Sequence, residues 1–235
     1  MNVLEGKIKW IDIEKPTKHD LVYLRTLYEF HPLILDELLH PSERAKVEQY
    51  ESYLYLTYHF PVYDPQRRTS RRAELDFLIT QDALITVHAE PLEPLLTFAR
   101  HINEHPRTKT QIFGSSGYLL YYILQEFNAF SLRQLRHVEH NVTSVTKNLF
   151  FHQEYRLLRH ISFIKRDILD YGVIAKPQSI LLDSLRAIGP KFWKEDLQTY
   201  FSDLVGEHLK VTQQLENFRD TIESCETTNA QLLNA

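Results

Sequence analysis

Two acidic residues, Asp36 and Glu37, stand side by side in a short apolar segment at residues 31–40. On a helix, neighbouring side chains project about 100° apart, so one carboxylate can face the fold while the other faces solvent or another subunit. Carboxylate oxygens are the ligands that hard cations such as Mg²⁺ prefer. The pair is a candidate cation site, although acidic pairs are more often solvated surface. Asp203, at the edge of a predicted C-terminal helix, is a further acidic candidate that is equally weak by itself.

A second candidate is the pair His137 and His140, which lie three residues apart on one face of a predicted helix. Such a pair is compatible with transition-metal ligation, and a soluble metal-dependent hydrolase would need a pocket that converges on it. Because the chain has twelve histidines, chance pairs are common, and we interpret this pair as structural. Glycine-rich phosphate loops, Gly-x-Ser-x-Gly elbows and Cys-x-x-Cys pairs are absent from the sequence, which does not by itself disprove catalysis. We predict that the chain is not an enzyme.

The first half of the chain combines strand and helix patterns. Thr17, followed three residues later by Asp20, predicts a capped helix, and Pro32 predicts the start of a short second helix. Residues 74–79 and 83–88, separated by a three-residue turn, predict an antiparallel hairpin. We therefore predict the α+β class, with a mixed, mainly antiparallel sheet that helices cover on at least one face. Further patterns predict strands at 7–13 and 53–60, an earlier strand that starts near 46, and a helix at 91–104.

The second half is helical. Apolar residues three and four apart predict two helices that form a hairpin near residues 150–154, and a shorter helix from about 177 to 188. Over residues 197–232 the apolar positions repeat with a 3.5-residue period for five heptads. This pattern predicts one long helix with an apolar stripe that faces a partner helix. We interpret this stripe as a self-association seam, in which the polar positions His208 and Asn229 would set the register. A stand-alone coiled-coil interaction protein is therefore one candidate function.

Charge and composition limit the partners. Residues 131–176 are basic overall and residues 191–235 are acidic, which predicts that the hairpin packs beside the long helix. The sequence lacks a dense basic cluster with interleaved aromatics, so we predict no nucleic-acid partner. The single cysteine, Cys225, and the absence of signal-peptide features favour a reducing cytosol. The longest apolar run, residues 118–124, is far shorter than the ~20 residues that cross a bilayer, so we expect no membrane crossing within the chain.

Several short stretches together resemble the cytosolic part of the CorA family of Mg²⁺ channels, and the resemblance covers nearly the whole chain. No single stretch is specific, but their order and spacing together are. They are Trp10-Ile11-Asp12, residues 31–39 (HPLILDELL), residues 44–48 (RAKVE), Tyr118-Leu119-Leu120-Tyr121, Tyr200-Phe201-Ser202-Asp203 and Phe218-Arg219-Asp220.

The resemblance implies an α/β/α sandwich at residues 1–113, a helical hairpin and connecting helix at 114–190, and a stalk helix at 191–235. In the family the stalk continues into the first of two membrane spans, and five copies assemble around a pore. The family's Gly-Met-Asn pore signature is absent here, so the chain is expected to end before the first span. It would then be a regulatory domain on the cytoplasmic side of the cell membrane, joined to the membrane only by spans that follow it.

The resemblance also implies a regulatory cation site. Glu37 and Asp203 of neighbouring subunits would hold Mg²⁺, and Asp36 would contribute to a second site. Gln125 occupies a position where the family has a further acidic residue, and the neighbouring Glu126 is the fourth candidate metal ligand. Bound Mg²⁺ would hold the pore closed and its loss would open the channel, because the two states differ in cation affinity. Co²⁺, Ni²⁺ and Zn²⁺ are alternative ions.

The chain also departs from the family pattern. Asp36-Glu37 replaces the usual Glu-Asp order, which lengthens the interface carboxylate by one methylene group, and Ala45 replaces a proline. Cation sensing is then expected to be weaker, or tuned to another ion. The ZntB-like branch of the superfamily, which handles Zn²⁺, is a competing prediction that the twelve histidines favour slightly.

Overall fold

The structure, a computed structural model, describes residues 1–151 and 154–234. The chain divides into two compact units, each assembled from three segments. We name them the sheet unit and the helical unit. The three-part division at residues 113 and 190 stays a prediction. The sheet unit comprises Met1–His59, Glu74–Phe127 and Gln178–Gly206, and the helical unit comprises Phe60–Ala73, Asn128–Pro177 and Glu207–Ala235.

Six strands and eight helices make up the described residues. None of these helices is both long enough and apolar enough to cross a membrane. The strands are β1 (Asn2–Glu5), β2 (Lys9–Glu14), β3 (Lys46–Gln49), β4 (Leu54–Asp64), β5 (Thr69–Ile79) and β6 (Ala83–His88). The helices are α1 (Lys18–Leu27), α2 (Pro32–Glu37), α3 (Glu93–Glu104), α4 (Pro106–Ile112), α5 (Ser116–Gln134), α6 (Arg136–Asn148), α7 (Glu154–Trp193) and α8 (Gln198–Leu233).

The strands form one mixed sheet in the order β1-β2-β6-β5-β4-β3. β2 runs parallel to β6, whereas β1 with β2, β3 with β4 and β5 with β6 pair in antiparallel fashion. Trp10 and Ile11 are neighbours on β2 and therefore point to opposite faces. Ile11 shares an apolar cluster with Leu24 of α1 and Ile34 of α2, and the Trp10 ring lies 5.5 Å from that of Phe98 on α3. Helices thus cover both faces of the sheet, which confirms the predicted α/β/α arrangement.

Both N-terminal helices begin where the sequence predicts. Thr17 and Asp20 form the complete capping box of α1, with the Thr17 amide donating to Asp20 Oδ2 at 2.9 Å. α2 begins at Pro32, and the preceding His31 caps it, because His31 Nδ1 accepts a hydrogen bond from the Leu33 amide at 3.2 Å. α2 is only six residues long, so the two adjacent candidate carboxylates occupy its last turn.

In the helical unit, α6 and parts of α7 and α8 pack around one apolar cluster. The predicted long helix is confirmed as α8, but its stripe packs within its own chain. The inference that the heptad pattern marks a self-association seam is therefore wrong for this part of the helix. The buried stripe residues are Val211, Leu215, Ile222 and Cys225, and they share the cluster with Val138, Val142 and Val145 of α6 and Leu157, Ile161, Ile164 and Ile168 of α7.

α7 is a single helix of 40 residues, which corrects the prediction of a separate helix from about 177 to 188. Pro177 lies inside it, although an interior proline loses a backbone hydrogen bond and costs about 3 kcal/mol. Apolar residues are buried on both sides of the proline, Ala175 before it and Leu181 after it. Burial of this kind along the helix offsets the cost of the proline, so α7 continues through it.

The basic hairpin and the acidic long helix lie side by side in the helical unit, as the charge pattern predicts. Lys165 Nζ lies 2.5 Å from Glu226 Oε2, and Lys176 Nζ lies 3.7 Å from Glu216 Oε1, each pair joining α7 to α8. Because these side chains remain partly in solvent, each pair contributes at most about 1 kcal/mol. The hairpin turn predicted near residues 150–154 falls in part outside the described residues.

Candidate functional site

Glu37, at the end of α2, lies beside a lysine of its own chain. Lys46 of β3 places its Nζ 2.7 Å from Glu37 Oε2 and 3.4 Å from Glu48 Oε1. The Lys46 side chain is only 16% exposed, and its ammonium lies 4.9 Å from the centre of the Tyr55 ring. Two carboxylates and an aromatic face therefore hold the ammonium, and Glu37 has a cationic partner within its own chain. The sequence does not reveal this contact of Lys46, because the spacing between Glu37 and Lys46 does not show that β3 runs past the end of α2.

Asp36 is exposed next to Glu37, at an open surface hollow of about 770 Å³. A divalent cation can reach the Asp36 carboxylate from solvent, whereas at Glu37 it meets the Lys46 ammonium. The hollow is therefore lined by both acidic and basic side chains. Its lining runs from the end of α2 to the start of β3 and consists of Leu33, Asp36, Glu37, His40, Pro41, Ser42, Glu43, Arg44 and Lys46.

Asp76 of β5 is a buried carboxyl group that is linked to this network through Tyr55. Its Oδ1 accepts hydrogen bonds from Thr57 Oγ1 at 2.7 Å and from Tyr55 OH at 3.1 Å. Burial raises the pKa of Asp76 to about 7, although the hydrogen bond from Thr57 lowers it. Asp76 was not among the residues predicted for the site. A signal was present, because an acid inside the otherwise apolar end of a strand needs buried hydrogen-bond partners.

Asp203 lies near the start of α8, where it is exposed and accepts a hydrogen bond from Tyr121 OH of α5 at 2.8 Å. Burial raises the pKa of Tyr121, and the hydrogen bond to Asp203 raises it further. The rings of Tyr118 and Tyr121 each lie 5.0 Å from the ring of Tyr200. The two tyrosine-containing stretches that carry the family resemblance are thus in contact in the fold.

Glu126 is a half-buried residue of α5, next to the half-buried Gln125. Like Asp36, Glu37 and Asp203, it belongs to the sheet unit. Within residues 1–151 and 154–234, no three His, Cys, Asp or Glu side chains converge in a way that could hold a metal ion. The structure therefore does not bring the four predicted carboxylates together as one metal site within a single copy.

His137 and His140 both lie on α6 but have different surroundings. His137 Nε2 lies 2.5 Å from Asp167 Oδ2, and its ring stacks 3.7 Å from that of Tyr63. Asp167 is 3% exposed and also accepts hydrogen bonds from the amide and hydroxyl of Ser70 at 2.7 and 2.9 Å. His140 is exposed. These contacts support the structural interpretation of His137, because its Nε2 pairs with the buried Asp167 inside the helical unit.

Comparison with known proteins places the chain in a family. The chain matches the family model of the CorA-like Mg²⁺ transporter protein over residues 5–235. The cobalt/magnesium transport protein CorA of Thermotoga maritima is 20% identical over 220 residues, which cover 91% of this chain and 60% of that protein. This chain thus spans less than two thirds of the length of that relative.

Two solved structures share the fold at low sequence identity. The soluble domain of CorA from Methanocaldococcus jannaschii has a TM-score of 0.80 at 18% identity, over 96% of this chain and 89% of that chain. The cytoplasmic domain of ZntB from Vibrio parahaemolyticus has a TM-score of 0.72 at 14% identity, over 98% of this chain and 91% of that chain. These two likenesses show the fold alone. The family match extends over nearly the whole sequence, and the chain therefore belongs to the CorA-like Mg²⁺ transporter protein family.

Proposed function

We propose that this chain is the cytosolic regulatory domain of a divalent-cation channel, with Mg²⁺ as the first candidate ion. The observation that carries the proposal is the family match over residues 5–235. The relative from Thermotoga maritima, which is named a cobalt/magnesium transport protein, supports it. In this proposal the domain lies on the cytoplasmic side of the membrane, in a homopentamer whose membrane spans are outside this chain.

The proposed sensor consists of surface carboxylates of the sheet unit. Asp36 and Asp203 are exposed and the Glu37 side chain is 42% exposed, so a cation and a second copy can both reach them. Mg²⁺ binds through one or two carboxylates while it keeps several water ligands, so the donor chemistry of this set fits the ion. In the proposal Glu37 and Asp203 of neighbouring copies share one ion, and Asp36 contributes to a second site. Glu126 is a further candidate ligand.

Such a site couples the cation concentration to the state of the pore. When the ion is bound, the carboxylates of neighbouring copies are neutralised; when it is absent, their like charges repel. A ligand that binds one of two states more tightly shifts the population toward that state. Bound Mg²⁺ then favours the closed pore, and falling Mg²⁺ favours the open one.

The test is the Mg²⁺ sensitivity of currents through the full-length channel that this proposal implies. Glu37→Ala combined with Asp203→Ala is expected to make the currents insensitive to millimolar cytosolic Mg²⁺, because the shared ion loses both carboxylates. The matched control is Glu5→Ala with Glu51→Ala, which removes two exposed carboxylates of the same unit outside the proposed site. Inhibition like that of the wild type in the first double variant would refute the site assignment.

Zn²⁺ transport is the second candidate function. The ZntB cytoplasmic domain matches with a TM-score of 0.72, close to the 0.80 of the CorA soluble domain, so the fold does not separate the two. Uptake of Zn²⁺ and of Mg²⁺ by cells that express the full-length protein distinguishes them. Uptake of Zn²⁺ without uptake of Mg²⁺ would favour the ZntB-like function over the CorA-like one.

A further inference from the structure

We infer that Lys46 is a built-in counter-ion of Glu37, which a divalent cation must displace before it can bind that carboxylate. Lys46 therefore sets the cation concentration at which the sensor responds. This inference rests on the proposed role of Glu37 and extends it by naming the competitor of the ion.

The Lys46 ammonium is held in place by its neighbours. Its Nζ lies 2.7 Å from Glu37 Oε2, and the Lys46 side chain is only 16% exposed. Glu48 Oε1 is 3.4 Å from the same Nζ, and the centre of the Tyr55 ring is 4.9 Å away. Glu48 is itself oriented by Tyr50 OH, which donates to Glu48 Oε2 at 3.2 Å. Glu37 thus has a counter-ion within its own chain before any metal ion arrives. Because Glu48 shares this ammonium, the three side chains together keep a net negative charge that still attracts a metal ion.

An ammonium and a divalent cation compete for the Glu37 carboxylate. A Mg²⁺ ion would lie about 2.1 Å from a carboxylate oxygen, while the ammonium already donates to Oε2. The two positive charges would then be only a few ångströms apart, and their repulsion is strong where solvent is partly excluded. The ammonium must therefore move when the ion binds. Glu48 offers it a place, because Glu48 Oε1 is 3.4 Å away and the lysine stem is flexible.

Removal of the ammonium has two effects on cation binding. The competitor is lost, and Glu37 and Glu48 are left as two carboxylates without a cation between them. Both effects increase the attraction for a divalent cation, so the affinity rises. A lysine with a purely structural role behaves differently, since its loss lowers the free energy of unfolding without a change in cation affinity.

The test is Mn²⁺ binding to the 235-residue chain, measured by EPR of the free ion, with Mg²⁺ as a competitor. Lys46→Met should bind both ions roughly tenfold more tightly than the wild type. Lys46→Arg keeps the charge and should bind no more tightly than the wild type. Lys9→Met is the matched control and should leave the affinity unchanged. The Lys9 side chain is 58% exposed, and its Nζ pairs with Glu5 Oε1 at 3.9 Å, outside the proposed site.

Thermal unfolding with and without Mg²⁺ is the second measurement, and it applies even if Lys46→Met is less stable than the wild type. A ligand that binds the folded state more tightly raises the stability of that state more. The increase in Tm that Mg²⁺ causes should therefore be larger in Lys46→Met than in the wild type. An equal or smaller increase counts against the inference.

The variants Glu37→Gln and Lys46→Met/Glu37→Gln separate this inference from the proposed function. Loss of the gained affinity in the double variant identifies Glu37 as the ligand and Lys46 as its competitor. Binding that depends on Glu37 but that Lys46→Met does not tighten overturns the role of Lys46 and leaves the Glu37 site intact. If Glu37→Gln weakens binding neither in the wild type nor in Lys46→Met, both the role of Lys46 and the proposed Glu37 site are overturned. The same conclusion follows if the chain does not bind the ions at all.

Discussion

Asp76 shows how far the fold changes the chemistry of one side chain. An aspartate ordinarily has a pKa of 3.8, whereas burial raises that of Asp76 to about 7, with Glu74 raising it and Lys46 lowering it. Between pH 3.8 and about pH 7, Asp76 keeps its proton in the folded protein, whereas the same side chain has released it in the unfolded chain. The free energy of unfolding therefore falls as the pH rises from about 4 to about 7, by up to about 1.4 kcal/mol for each pH unit.

Asp76→Asn should remove this part of the pH dependence. The amide stays neutral at every pH, and its oxygen can still accept hydrogen bonds from Thr57 and Tyr55. The measurement is urea unfolding of the wild type and the variant across this pH range, without divalent cations. Asp36→Asn, which changes an exposed aspartate of the same unit, is the control and should keep the dependence of the wild type. An equal fall in stability in Asp76→Asn and the wild type would contradict the raised pKa.

At the residue scale, the sequence identifies which groups can carry charge but not which groups they meet. Asp36 and Glu37 are recognisable as an adjacent pair, because local helix signals place them together. The hydrogen bond from Tyr121 to Asp203 joins residues that are 82 positions apart, so no local pattern predicts it. The same holds for Lys46, whose contact with Glu37 exists only because α2 and β3 pack together.

At the scale of elements, prediction succeeds where the signal is local and fails where packing decides. Strand β6 occupies the predicted residues 83–88, since a turn and an apolar run define it. The four-residue strand β1 and the seven-residue helix α4 are too short to show a period, and they were not predicted. The helix predicted from about 177 to 188 stops before Gly189-Pro190, whereas both of these residues lie inside α7. A glycine that ends a helix and a glycine that packs against another helix look alike in sequence.

Gly189 allows α7 and α8 to approach each other within the sheet unit. A Cβ atom at this position would lie 2.6 Å from Phe201 Cε2, whereas one at Gly206 on α8 would have nothing within 4 Å. Gly189→Ala should therefore lower the free energy of unfolding by about 1–3 kcal/mol. Gly206→Ala should raise it by about 0.5–1 kcal/mol, because alanine is the better helix former.

Urea unfolding of the two variants measures both effects under the same conditions. The chemical change is the same at each position, so the difference between the variants reports the packing around the added methyl group. Each therefore serves as the control for the other. Stabilisation by both substitutions would contradict the close approach of Phe201 to Gly189.

At the scale of the whole molecule, any assembly of copies has to use surfaces other than the part of the heptad stripe that is buried in the helical unit. The stripe positions of α8 in the helical unit are occupied by the chain's own α6 and α7. The exposed carboxylates of the proposed cation site remain accessible to a second copy, and they carry the same charge in every copy. Repulsion between them opposes association until a cation neutralises them. The oligomeric state is therefore expected to depend on divalent cations.

Light scattering of the 235-residue chain tests this dependence. The mean mass should be near the 27.9 kDa of one copy without Mg²⁺, and at least twice that value in millimolar Mg²⁺. NaCl at equal ionic strength is the control, because salt alone also screens repulsion between exposed charges. Glu37→Gln with Asp203→Asn should keep the chain monomeric in Mg²⁺, because the ion that bridges two copies loses both of its carboxylate ligands. A mass that stays at one copy in Mg²⁺, or that rises equally in NaCl, would show that these carboxylates do not join copies through an ion.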